Sequence, residues 1–281
     1  MRDDMDYLQF WQLREPPFEA VSNTAFFYES NAHSEGIARL LYVVADQGMG
    51  IGALTGEIGS GKTMILNVLR ERIPRDMYQT VHITTASFAF EHLLQEIIAQ
   101  VEGDDLYTES GNDGKYPLLK RLERCVEERV TVLDKHLLVM LDESQLLEPG
   151  CLEELKCLTN LNRPGRSVLT IILAGQPELR RTLRSMPQVY QRMGMVYHLS
   201  HLERSEVPDY VRHRLAVSGA SRLDIFEPDC MDLLYQFSHG CPRQINRVCK
   251  LAVDRACLLE QHKVNRDMVQ RIVDDIRRQF G

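Results

Sequence analysis

Gly56-Glu57-Ile58-Gly59-Ser60-Gly61-Lys62-Thr63 fits G-x-x-x-x-G-K-[ST], and its flanks restrict what the chain can become. Ile51-Gly52-Ala53-Leu54-Thr55 before it reads as a short buried strand, and Met64-Ile65-Leu66-Asn67-Val68-Leu69-Arg70 after it is apolar at helical spacing. Strand, glycine loop and helix is the setting in which this pattern is a phosphate site and not a glycine turn with a surface lysine. Gly56, Gly59 and Gly61 let the backbone turn tightly so that successive N–H groups point inward, over the positive end of the new helix. Lys62 adds a full charge for β- and γ-phosphates, and the Thr63 hydroxyl is suited to Mg²⁺; Glu57, Ile58, Ser60 and Met64 complete the cradle. The stretch predicts a nucleoside triphosphate site.

Such a loop needs a second arm for the metal. His136 to Leu141 is apolar without alternation, as in a parallel strand buried on both faces, and it ends in Asp142-Glu143. Asp142 at the strand tip can hold Mg²⁺ through water, and Glu143 can orient and polarise an attacking water. The other reading of the pair is a solvated turn, in which two acids closing an apolar strand would gain nothing.

Four further segments read as strands or their equivalents: Ile51 to Thr55, Thr80 to Thr84, Ser167 to Ala174 and Val196 to Leu199. Helical patterns lie between them at His33 to Ala45, Phe90 to Val101, Pro117 to Val132 and Leu152 to Leu161, with a polar loop over 103–116. The fold class is therefore α/β, a mostly parallel five-stranded sheet between helical layers. From about Glu203 strand patterns cease, and 207–218, 228–240, 243–261 and 266–280 read as helices of a small all-helical domain. The expected division is 1–45, an aromatic segment and helix packing on the core; 46–202, the nucleotide-binding core; and 203–281, a helical lid.

Bulk properties exclude several classes. A chain of 281 residues with 44% hydrophobic and 26% charged residues is an ordinary globular protein. No run approaches the roughly 18 apolar residues of a membrane helix, and the acidic start lacks a signal peptide's apolar core. Seven cysteines without a C-x-x-C read as reduced thiols. These features predict a cytoplasmic protein, peripheral at the inner membrane through partners. A net charge of −7 argues against nucleic acid bound over the whole surface but leaves room for a local patch. Arg163, Arg166, Arg180, Arg181 and Arg184 read either as such a DNA-contacting patch or as solvated helix ends.

The order of GEIGSGKT, LLVMLDESQ, IILAGQPEL, QRMGMVYHL and GCPRQINRVCKLA, with NTAFFYESNAHSEGIARLLY near the start, resembles the ExeA/GspA branch of the AAA+ ATPases over nearly the whole chain. The resemblance implies a three-layer αβα core and a helical lid, with ATP and Mg²⁺ as ligands and hydrolysis as the reaction. It implies self-assembly into a hexamer-like ring or a filament. Gln176 matches a sensor position for the γ-phosphate or attacking water, although a turn residue before Pro177 is the alternative. Arg243 matches the lid arginine that senses γ-phosphate, with a surface arginine at the start of the lid helix as the alternative. Arg192 matches an arginine finger reaching the next subunit, with Arg180, Arg181 and Arg184 as competitors. Tyr28 and His33 match the segment framing adenine, and core packing explains them as well. Ser144 stands where the branch more often has a small apolar residue. The sequence stops at Gly281, directly after the lid; if complete, it excludes direct action on peptidoglycan and resembles the short MshM-type pilus-biogenesis and transposition-associated members. The implied clients are components of an envelope secretion or type IV pilus-like machine. The alternative is a TniB/TnsC-like regulator that polymerises on DNA and recruits a transposase.

Overall fold

The computed structural model describes residues 4–19, 23–46, 49–85, 89–103, 114–163 and 166–280. In chain order its elements are α1 (Asp4–Trp11), α2 (Asn31–Ala45), β1 (Ile51–Gly56), α3 (Lys62–Arg72), β2 (Tyr78–Ile83), α4 (Phe90–Glu102), α5 (Lys115–Val126) and β3 (His136–Leu141). There follow α6 (Pro149–Leu158), the two-residue strands β4 (Asn162–Arg163) and β5 (Arg166–Ser167), β6 (Leu169–Gly175), α7 (Pro177–Arg184), α8 (Pro187–Tyr190) and β7 (Met193–Leu199). The last four are α9 (Val207–Val217), α10 (Asp229–Ser238), α11 (Pro242–Leu258) and α12 (Arg266–Phe280). The chain divides into two compact units, one of 33–58 with 62–199 and one of 1–32, 59–61 and 200–281.

The first unit is built on a five-stranded sheet in the order β2-β3-β6-β1-β7, every pairing parallel. Parallel strands are covered on both faces by their crossover helices, which is why β1, β3 and β6 are buried along their whole length and their sequences do not alternate. The edge strands are more polar. At β2 the Gln100 side chain accepts from the His82 N–H (2.9 Å) and donates to the His82 carbonyl (3.2 Å), so the edge is capped from within. Leu93, Leu94, Ile97 and Ile98 of α4 lie against Val81, Val139 and Ile171 in one apolar core. Because all five strands run the same way, Gly56, Ile83, Leu141, Gly175 and Leu199 end on one edge of the sheet, where ligands of open α/β sheets bind.

The second unit is helical. Leu215, Leu234, Ile245, Val248, Cys249, Val269 and Val273 form its centre. The aromatic N-terminal residues belong here and not to the sheet unit: Trp11 and Phe18 are buried in this core, and Tyr7, Phe10 and Tyr28 pack against it. Trp11 Nε1 donates to the Val253 carbonyl at 3.2 Å. The expected 1–45 block is thus divided, since α2 from His33 onward groups with the sheet. Periodicity shows that a helix has an apolar face but not which segment covers it. Arg214 ties this segment down. It is 3% exposed, donates from Nε to the Pro17 carbonyl (2.6 Å) and from Nη2 to the Glu19 carbonyl (2.7 Å), and lies 4.4 Å from the Phe26 ring centroid. Arg214→Ala should destabilise the unit by about 2–4 kcal/mol, because two carbonyls lose charged donors as a cation–π contact is lost. A denaturant midpoint unchanged from wild type would show that the strap contributes nothing.

Several local expectations shift. The loop expected over 103–116 lies largely outside the described residues; α5 begins at Lys115 and runs on into a π-helical turn, Glu127–Thr131. Helices α7 and α8 did not register as helices in the sequence, being short, and each carries proline in its first turn, where proline begins a helix and does not break it. Burial raises the Cys249 thiol well above its ordinary pKa, Cys230 to about 12 and Cys125 and Cys151 to about 11, which keeps these thiols protonated and unreactive. Among the described residues no helix is long and apolar enough to cross a membrane.

Candidate nucleotide site

The glycine loop joins β1 to α3. Gly59 (φ +81°) and Gly61 (φ +104°) occupy the left-handed region, which glycine enters without steric cost. Ser60 between them is fully buried, while Glu57 and Ile58 are exposed. Lys62 opens α3 and is only 7% exposed. Its ammonium arches back across the loop, donating to the Gly56 carbonyl at 2.8 Å and the Glu57 carbonyl at 3.0 Å. A buried charge must be met by strong acceptors, and here backbone carbonyls hold it over the turn. Met64, in the first turn of α3, is half-buried.

Thr63 links the loop to the tip of β3. Its hydroxyl donates to Asp142 Oδ2 at 2.5 Å, and Asp142 is 2% exposed. The other carboxylate oxygen, Oδ1, accepts from the Glu143 N–H at 2.9 Å. The two arms predicted from separate stretches therefore meet. A hydroxyl beside a carboxylate offers only hard oxygen ligands, which suits Mg²⁺ and not a softer metal.

Glu143 takes a left-handed conformation (φ 50°, ψ 34°), uncommon outside glycine and frequent where geometry serves a site. The turn after it is held by Ser144, whose buried hydroxyl donates to the Leu141 carbonyl at 2.8 Å, so a polar residue replaces a small apolar one without an unmet group. Gln145 is a residue that the sequence did not single out. Its Nε2 donates to Glu143 Oε2 at 2.6 Å, and its Oε1 accepts from the Gln176 N–H at 3.0 Å. Gln176, half-buried, is the residue before α7 at the end of β6, next to β3 in the sheet. His82 on β2 also feels Asp142: burial and then Arg70 lower its pKa against the pull of that carboxylate, leaving a neutral imidazole at pH 7.

The remaining predicted residues are placed as follows. Arg243 is exposed in the first turn of α11; in the unit that groups 59–61 with the helices, a Cβ added at Gly59 would come within 2.7 Å of Arg243 Cβ and 3.0 Å of Cys241 Sγ. Arg192 is exposed between α8 and β7. Of its competitors, Arg181 is paired with Glu178 at 2.9 Å, Arg184 is exposed and Arg180 is half-buried. Tyr28 packs edge-on against Tyr210 (5.8 Å, 83°) and near His213, and His33 is buried in the first turn of α2.

Comparison with protein families matches residues 45–183 to an AAA domain. The chain is 36% identical over 260 residues to general secretion pathway protein A of Aeromonas hydrophila; the match takes in 92% of this chain and 46% of that protein, so the chain spans about half its length. Among solved structures, the Aeropyrum pernix ORC2 protein in ADPNP and ADP complexes is similar with a TM-score of 0.67 at 19% identity, over 89% of this chain and 71% of that one. Cdc6p of Pyrobaculum aerophilum is similar with a TM-score of 0.69 at 17% identity, over 87% and 68% of the two chains. At such identities these two likenesses concern the fold, a P-loop sheet with helices. The motifs, the sheet order and the secretion-pathway relative agree, and the chain belongs to the AAA+ family of P-loop proteins, in the ExeA/GspA branch.

Proposed function

We propose that this protein binds ATP with Mg²⁺ and hydrolyses it, and that the cycle drives its assembly and the remodelling of an envelope secretion or type IV pilus-like machine. The observation that carries the enzymatic reading is the 2.5 Å bond from Thr63 to Asp142, which joins the phosphate loop to the acidic strand tip. Backbone N–H groups of 56–63 and the Lys62 ammonium grip the phosphates, and Thr63 and Asp142 hold the metal. Mg²⁺, when bound, neutralises charge on the triphosphate. Glu143 orients a water for attack on the γ-phosphorus and accepts its proton, and the Gln176 amide contacts the same region. Arg243 senses the γ-phosphate, and Tyr28 and His33 lie in the segment that frames adenine.

Arg192 is assigned to a neighbouring subunit's site on its place just before β7, which matches the finger position of the ExeA/GspA branch, and it is exposed there. Arg192→Ala should leave ATP affinity near wild type and lower turnover roughly a thousandfold, the lower end of what an arginine finger contributes. Mixing it with Glu143→Gln should restore activity, since some sites then pair an intact Glu143 with an intact Arg192. Mixed assemblies as inactive as either parent would remove Arg192 from this role.

The secretion client rests on the likeness to general secretion pathway protein A. Filter binding of duplex DNA at two salt concentrations, with and without ATP, tests it against the transposition alternative. Weak binding is expected; tight, salt-sensitive, ATP-dependent binding would overturn the envelope assignment in favour of a DNA-bound polymer.

A further inference from the structure

We infer that Gln145 is a positioning residue that couples the Glu143 carboxylate to the start of α7 at Gln176, an inference that rests on the ATPase reading above. The planar amide is used at both ends. Nε2 donates to Glu143 Oε2 (2.6 Å), and Oε1 accepts from the Gln176 N–H (3.0 Å). The next residue, Pro177, has no N–H, so the Gln176 amide is the last backbone donor before the proline-started helix. A shift of this turn is therefore transmitted to the carboxylate through one rigid group.

Gly175 supplies an independent observation. It is buried at the end of β6, and a Cβ there would lie 2.8 Å from Gln145 Oε1, 3.1 Å from Gln145 N and 3.0 Å from Leu179 Cδ2. The missing side chain thus makes room for the Gln145 amide and the backbone that carries it. On the other side, the left-handed Glu143 and the short 3₁₀ turn Ser144–Leu146 bring Gln145 back toward the carboxylate two residues earlier. Two unusual positions, one on each of two neighbouring strands' ends, serve a single side chain.

A carboxylate that must align a water needs one oxygen held and the other turned toward the reacting centre. Gln145 holds Oε2. Without it the Glu143 side chain gains rotamers, and only a fraction of them place a water in line.

The test uses the full chain with ATP and Mg²⁺. Gln145→Met keeps the volume and removes both bonds; Gln145→Glu keeps an acceptor for Gln176 but sets a carboxylate against Glu143. Both should lower kcat about tenfold to a hundredfold, the scale of a hydrogen bond to a charged group, while KM, ATP affinity and the unfolding midpoint stay near wild type. Gly175→Ala should lower kcat similarly in the wild-type background and have little further effect on Gln145→Met, because the two act through one contact. Wild-type kcat in Gln145→Met, with Glu143→Gln inactive, would overturn the inference and leave the ATPase reading standing. Independent, multiplying effects of Gly175→Ala and Gln145→Met would overturn it as well. Full turnover in Glu143→Gln would instead remove the reading beneath it, and this inference with it.

Discussion

Lys62→Ala should lose nucleotide affinity by roughly two to three orders of magnitude, as expected when one partner of a desolvated charge interaction is truncated at a cost of 2–5 kcal/mol. Few surface lysines would carry such a penalty, since exposed ion pairs contribute about 0–1 kcal/mol. Lys62 differs because it is 7% exposed and its ammonium is already fixed across the loop by the Gly56 and Glu57 carbonyls. Its rotamer freedom is thus lost on folding and not on binding, and the charge waits where an anion must sit. Some fold stability will go too, as the two carbonyls lose a charged donor, at about 1–3 kcal/mol. The binding measurement is a titration with a fluorescent ATP analogue, run beside a thermal unfolding curve so that the two losses are read separately. Lys62→Arg keeps the charge but replaces a compact ammonium by a planar fork, which the two-carbonyl seat does not match, and it should recover only part of the affinity. A folded Lys62→Ala that binds ATP as tightly as wild type would refute the phosphate site, and the metal-holding assignments of Thr63 and Asp142 would fall with it.

How far the sequence foretells this structure depends on whether a feature is local. The strands β3 and β6 announce themselves because a parallel strand covered on both faces has no polar positions to alternate. The phosphate loop is legible because its conformation demands glycine at particular steps, as at Gly59 and Gly61. Asp142 is placed near Thr63 because the one closes β3 and the other follows the loop leaving β1, both at the carboxyl edge of one parallel sheet, although no distance is legible in the sequence. What was not legible is what depends on a partner far along the chain. Trp11 and Phe18 read as apolar and in need of cover, yet nothing local says that α9 to α11 supply it. Arg214 looks like any helical arginine until the Pro17 and Glu19 carbonyls are seen to face it. The role of Gln145 is hidden in the sequence for a related reason. A glutamine after an acidic pair has many uses, and only the contact with Gln176 and the space left by Gly175 single it out. The one available signal was weak: glycine at the end of a buried apolar strand, at a position without the positive φ that would otherwise require it.

Glu143→Gln should have the opposite signature to Lys62→Ala: nucleotide still bound, turnover reduced about 10²- to 10⁴-fold, the usual loss when a general base is removed. The assignment of the base to Glu143 and not Asp142 follows from how their oxygens are used. Both Asp142 oxygens are engaged, Oδ2 by the Thr63 hydroxyl and Oδ1 by the Glu143 N–H, which fits a metal-holding group kept rigid. Glu143 is half-buried and has only Oε2 held, by Gln145, which fits a group that must meet a water. Glutamine at 143 keeps the length and the planar head, and its carbonyl oxygen can still accept from Gln145 Nε2. The backbone need not change its left-handed conformation, so the fold and the phosphate grip are untouched. Loss of a negative charge beside a triphosphate also lessens repulsion, and ATP affinity should stay level or rise. Single-turnover kinetics separate the outcomes, because they read the chemical step without product release. A Glu143→Gln protein that binds ATP and also cleaves it at the wild-type rate would mean that the water is activated elsewhere, and Asp142 would then have to serve both metal and proton. Weakened binding without a change in the chemical step would instead make Glu143 part of the nucleotide grip. The expected pattern, binding kept and the chemical step slowed, is what removal of a group facing the attacking water produces.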